Sequence, residues 1–198
     1  MKTSKYFLLI AALVLLVGLV GTAMAQGKMD SKGSAYRLPP EPIQPMVSVN
    51  AIEVTDGMVG VDSTTGKETA FGYSFMGQTT GDLPGSFTLS MNCAPAIPIP
   101  GDVSELSGGS WTLPVYMTSV KGTYAGSLYG TIAKGTMSWD KTGRNATVYF
   151  VLNVSGTKSW EGVGGYASFA GNLYVDEKTQ ETKLDGTLVF TIIGALPE

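Results

Sequence analysis

Histidine is absent from this 198-residue chain and cysteine occurs once, at Cys93. The side chains left for acid–base or nucleophilic work are therefore carboxylates, Tyr, Lys and one thiol. Composition alone excludes Ser-His-Asp and Cys-His catalysis, His-ligated zinc and an imidazole pH switch. A single thiol supplies no cysteine set for zinc or an iron–sulfur cluster either, so no metal or other cofactor is expected. Cys93 reads as a small buried hydrophobe, because a reactive thiol needs exposure and a lowered pKa.

The carboxylates do not organise into a site. Asp82, Asp102, Glu105, Asp140, Glu161, Asp176, Glu177 and Asp185 mostly stand beside Gly, Pro or turn residues, where acids cap turns. Nothing in their spacing pairs two of them as a glycosidase requires. Residues 62–66 form a turn rather than a calcium loop of spaced acids. No Gly-x-Ser-x-Gly elbow or phosphate-cradling loop stands between a strand and a helix, and no catalytic residue is nominated.

Aromatics are the remaining resource. Trp111, Tyr116, Tyr124, Tyr129, Trp139, Tyr149, Trp160, Tyr166 and Tyr174 lie on or beside predicted strands. Cross-strand packing accounts for most of them. The functional reading is a barrel mouth lined with aromatics around an apolar or carbohydrate ligand. Trp160 is the candidate ligand-binding residue, because it falls in a predicted turn among Lys158, Ser159 and Glu161. A Trp that plugs the end of the barrel explains it equally well.

The elements that must position these residues follow an apparent export signal. Lys2 and Lys5 precede an apolar run over 7–20, and Ala23-Met24-Ala25 supplies the small residues of a cleavage site, so residues 1–25 read as a signal peptide. The run is short for a membrane span, and no stable membrane insertion is expected after cleavage. The remaining 173 residues hold 11 basic and 16 acidic side chains, a net charge of −5. That balance, without a basic run, argues against nucleic acid or anionic lipid as the main partner. Residues 26–46 read as a flexible lead-in whose prolines block helix, and 47–198 as one domain. The single cysteine rules out an intrachain disulfide. The destination is secreted, periplasmic or cell-surface.

Within the domain, short β-branched and aromatic runs alternate with Gly, Asn and Asp, and no amphipathic helix is legible. Strands are predicted at 47–54, 69–76, 86–92, 110–118, 124–133, 135–139, 146–154, 166–175 and 184–193. In 146–154 both faces are fairly apolar, so both are expected to be covered. The prolines of 94–100 exclude a central strand there, and a long loop is expected through Gly109. An all-β fold follows, an antiparallel barrel of about eight strands with a two-layer sandwich as the alternative. Interior glycines, Gly72, Gly126, Gly130, Gly171 and Gly186 among them, favour the barrel by permitting bulges and sharp coiling. The sequence ends without the aromatic terminus of an outer-membrane barrel. Asn145-Ala146-Thr147 and Asn153-Val154-Ser155 match the glycosylation acceptor pattern.

The stretch Gly156-Thr157-Lys158-Ser159-Trp160-Glu161-Gly162-Val163-Gly164-Gly165-Tyr166-Ala167-Ser168-Phe169-Ala170-Gly171 resembles the second half of allene oxide cyclase-like and dirigent-like barrels, and many secreted bacterial β-proteins. The resemblance implies an antiparallel barrel with a hydrophobic interior, dimeric or trimeric in those families. It carries no catalytic residue onto this chain. The leading expectation is an exported, non-enzymatic barrel domain that binds a ligand or serves as a structural or interaction module. The rivals are a cyclase- or isomerase-type enzyme acting on an apolar substrate, and a lipocalin-like carrier.

Overall fold

The computed structural model describes residues 42–119 and 122–194. The expected signal peptide and most of the expected lead-in lie outside these residues. Nine strands follow one another: β1 (Met46–Thr55), β2 (Met58–Val61), β3 (Glu68–Gly81), β4 (Gly85–Ala94), β5 (Val103–Ser119), β6 (Gly122–Trp139), β7 (Ala146–Gly156), β8 (Gly164–Val175) and β9 (Thr182–Ile193). Each strand from β3 to β8 pairs antiparallel with the next in sequence, and β1 closes the ring by pairing with both β9 and β3. The result is an eight-stranded up-and-down barrel, not a sandwich. The ninth strand, β2, continues the line of β1 along β3, with Met58 opposite Phe71 and Val61 opposite Glu68. It extends the sheet past the ring at one end.

Period-2 alternation builds the wall. On β7, Ala146, Val148, Phe150, Leu152 and Val154 point inward and are buried, whereas Thr147, Tyr149 and Asn153 face solvent. The expected cover over the outer face of β7 is absent among the described residues. The same alternation buries Phe87, Leu89, Met91 and Cys93 on β4 and Leu184, Leu188, Phe190 and Ile192 on β9. These side chains fill the interior. Phe150 and Phe169 stack with centroids 4.5 Å apart and planes 8° apart, and Trp111 leans on Phe190 at 6.1 Å. Each such aromatic pair is worth about 0.5–1.5 kcal/mol beyond its burial.

Several interior glycines make room both for these aromatics and for a neighbouring backbone carbonyl. Gly171 and Gly186 face each other across β8 and β9, and Phe169 lies over both. A Cβ on Gly186 would sit 2.5 Å from Phe169 Cζ and 2.6 Å from the Ala170 carbonyl oxygen. Gly130 makes similar room for the Trp111 indole, whose Nε1 donates to the Asn153 carbonyl at 2.9 Å. Gly72 serves the expected bulge. Its φ of +76° accompanies the register shift between Ala70 and Tyr73.

Several boundaries differ from the sequence reading. The segments 124–133 and 135–139 are one strand, β6, interrupted by a bulge between Ile132 and Lys134. Strand β5 begins at Val103, inside the expected loop, because Ser104 and Leu106 point inward while Gly108 and Gly109 absorb two register shifts. The short β2 carries no alternation and was not foreseen. Pairing also starts before residue 46: Ile43 bridges Ile192, and Phe190 N–H donates to the Pro45 carbonyl at 2.9 Å. The end of the expected lead-in is therefore fastened to the barrel.

Candidate functional site

One end of the barrel is open. A hollow of about 390 Å³ lies where β1, β3, β4, β6, β8 and β9 reach the rim, below β2 and the proline-rich β4–β5 connection. Its walls continue the inward stripes of the strands. Met137 and Trp139 arrive from β6, Leu173 and Val175 from β8, Cys93 from β4, and Ala70 and Tyr73 from β3. The last inward residue of β1 is Glu53, after Val47, Val49 and Ala51. That strand's apolar stripe thus ends in a carboxylate at the mouth.

The bulge in β3 aims Tyr73 into this space, since a bulge re-aims the side chain that follows it. It is fixed by Asn92, whose Oδ1 accepts from Gly72 N–H at 3.2 Å, and by Ser74 Oγ donating to the Gly72 carbonyl at 2.7 Å. Tyr73 packs edge-on against Phe75 at 4.8 Å and donates its hydroxyl to Glu53 Oε2 at 3.2 Å. Burial, reinforced by the Glu53 charge, pushes the phenol far above its usual range. Tyr73 therefore stays protonated and keeps a proton to donate. Burial likewise raises the Cys93 thiol, against a smaller opposing pull from Ser104, which makes Cys93 a wall atom rather than a nucleophile. Trp139 presents its ring to the hollow while its Nε1 donates to Ser104 Oγ at 2.8 Å.

The rim is charged and its cover is apolar. Glu53 and Asp56 stand on the β1–β2 side and Arg144 on the β6–β7 connection, and Val59, Ile97 and Pro98 line the same space. Arg144 forms no ion pair among the described residues. The connection 94–100 crosses the barrel end as its prolines require. Ala96 N–H donates to the Glu68 carbonyl at 3.1 Å, which ties it to the β2–β3 hairpin. Among the described residues, no three acids or cysteines converge on a metal-sized space.

Trp160 lies at the opposite end. It closes the 3₁₀ turn Lys158–Trp160, is buried, and does not line the mouth. Thr157 and Ser159 hold this turn on β6 by accepting from Ser127 and Ala125 N–H. Gly126 leaves space for the indole and Gly156 for the Trp160 backbone and Cβ, and the indole Nε1 has no hydrogen-bond partner among the described residues. Of the other aromatics singled out in the sequence, Trp139 reaches the mouth. Trp111 is in the core, and Tyr116, Tyr129, Tyr149 and Tyr166 are exposed outside. Tyr174 donates to Asp185 on the outer face. Sequence reasoning missed Tyr73, Glu53 and Arg144. The signal for Glu53 was present: counting in twos from Val47 reaches it.

Asn145 and Asn153 are both exposed and engaged, donating to Asp140 Oδ2 at 2.8 Å and to Thr131 Oγ1 at 3.2 Å. No family model, curated protein or solved structure matches this chain.

Proposed function

We propose that this chain is an exported, non-enzymatic binding module that takes the apolar end of a small molecule in the barrel mouth. One observation carries the reading. The barrel interior is filled by side chains, whereas the mouth keeps a hollow of about 390 Å³ with apolar walls and its charged groups on the rim. Apolar walls with a few convergent polar groups are the usual form of a ligand site. The filled interior speaks against a deep carrier of the lipocalin type. The export signal read from Lys2 to Ala25 supports a location outside the cytosol.

The Tyr73–Glu53 pair favours a second reading, a cyclase- or isomerase-type enzyme on an apolar substrate. In it Tyr73 would donate to a substrate oxygen and Glu53 would accept a proton. The two readings differ in what Glu53 does. In a binding module Glu53→Gln changes affinity only; in an enzyme it abolishes turnover while leaving binding in place.

The test uses residues 26–198, which keep every described strand. Native mass spectrometry of the protein from its secreting host is expected to show added mass that disappears on denaturation. Titration with anilinonaphthalene sulfonate is expected to perturb tryptophan fluorescence in the parent and in Trp160→Phe, and to lose that response in Trp139→Phe. No added mass together with an unchanged Trp139 signal would sink the reading.

A further inference from the structure

The mouth has an apolar lip. Val61 is 71% and Ile97 66% exposed, and Val59 and Ile99 are exposed as well. These side chains belong to two segments at one end of the barrel, joined by the Ala96–Glu68 hydrogen bond, with Val59 and Ile97 both lining the mouth. Pro95, Pro98 and Pro100 restrict the backbone that carries Ile97 and Ile99, so little entropy remains to be lost when the isoleucines are covered. Exposed apolar side chains gathered on two joined segments at a pocket's mouth mark a docking surface.

We infer that this lip docks the barrel end-on to a zwitterionic phospholipid surface, placing the mouth against the lipid. Charge selects this occupant. Asp56, Asp62, Glu68 and Asp102 adjoin the lip segments in sequence, and the cation among them, Lys67, is offset by Glu105 in an exposed ion pair of 2.5 Å. A second copy of the chain, docked lip to lip, would bring two acidic rims together, and an anionic bilayer would be repelled likewise. A choline or ethanolamine headgroup presents an ammonium to these acids. Its phosphate suits Arg144, which takes tetrahedral oxyanions through a fork of N–H donors. The contact is shallow, with the isoleucines and valines at the headgroup–acyl boundary, where water still reaches the open edge of β2. The inference extends the ligand reading, since the mouth opens onto acyl chains; it shares Val59 and Ile97 with that reading, and Val61 and Ile99 of the lip lie outside the mouth lining.

Flotation of residues 26–198 with vesicles tests it; the apolar run of 1–25 is left out because it would bind lipid by itself. Phosphatidylcholine vesicles are expected to carry the protein up, and equimolar phosphatidylcholine and phosphatidylglycerol to carry less. Val61→Asn/Ile99→Asn, which touches the lip but not the residues lining the mouth, is expected to lower the bound fraction about tenfold. Its thermal melt should match the parent, because both positions are exposed. A parent that stays at the bottom with every vesicle overturns the inference, as does flotation that ignores the double substitution. A dimer in light scattering that the double substitution dissolves overturns it in favour of a second copy. The Trp139 titration reads the mouth independently. A protein that answers the fluorescent ligand but does not float keeps the pocket and loses the docking, and the reverse result does the opposite.

Discussion

At the residue scale, this barrel trades side chains across strands. Phe169 fills the space that Gly171 and Gly186 leave empty, and the exchange is testable by coupling. Gly186→Ala is expected to cost about 1–3 kcal/mol in urea denaturation, the usual range for forcing a methyl into a packed core. In a Phe169→Leu background the cost should fall by at least about 0.5 kcal/mol, the scale of coupling between residues in contact. Equal costs in both backgrounds would show that the glycine answers to the Ala170 carbonyl alone. Cys93 makes the second residue-scale case. Its sulfur is buried in the mouth wall and its thiol is raised by that burial. At pH 8 the native protein should therefore react with a disulfide reagent far more slowly than the urea-unfolded chain. Comparable rates would mean that the mouth opens down to Sγ.

At the element scale, hairpin loops at the open end share one device. Asp62, Asp140 and Asp176 each turn Oδ1 back onto backbone N–H groups further along, at Thr64 and Thr65, Thr142 and Arg144, and Lys178 and Thr179. Asp176 also accepts from Lys183 Nζ at 2.5 Å, and these bonds hold its carboxyl down at about 2. Asp140 is pulled well below the usual range, chiefly by the Thr142 hydroxyl and the Asn145 amide. An unfolded aspartate titrates near about 3.9, so on acidification the unfolded chain binds protons first. Stability contributed by the Asp140 and Asp176 loops is full above about pH 5 and drains as the pH falls toward 2. Asp176→Asn keeps the Oδ1 acceptor but not the charge, and should flatten the slope of unfolding free energy against pH across that window. An unchanged slope would assign the acid loss elsewhere. These turns were legible in the sequence because an aspartate capping its own loop is local chemistry. The long strands were legible too, since alternation such as Phe87, Leu89, Met91 and Cys93 is local as well. Strand β2 was not legible: Met58-Val59-Gly60-Val61 has no alternation, and it is a strand only because β3 outruns the ring. The start of β5 was hidden for the opposite reason, its two glycines reading as loop although both lie in bulges.

At the scale of the whole molecule, what the sequence withheld is which end of the barrel each residue reaches. Trp160 and Trp139 look alike in their local surroundings, yet one closes the barrel and the other faces the hollow, and register over many strands decides between them. Tyr73, Glu53 and Arg144 meet only after the ring has closed. Closure depends on β1, which lies between β9 and β3, and the seam with β9 joins residues more than a hundred positions apart. The segment before β1 extends that seam. Ile43 and Ile192 exchange two backbone hydrogen bonds of 3.1 and 3.0 Å, and Phe190 N–H adds the bond to Pro45. At about 0.5–1.5 kcal/mol for each bond, these three should contribute at most about 1.5–4.5 kcal/mol. A chain beginning at Pro42 should then match one beginning at Gln26 in urea denaturation, whereas a chain beginning at Met46 should unfold at a lower midpoint with a similar slope. If all three unfold together, the clasp is idle and β1 alone holds the seam. If the Pro42 chain already falls, part of the stability resides in residues 26–41, and the domain begins earlier than its strands do.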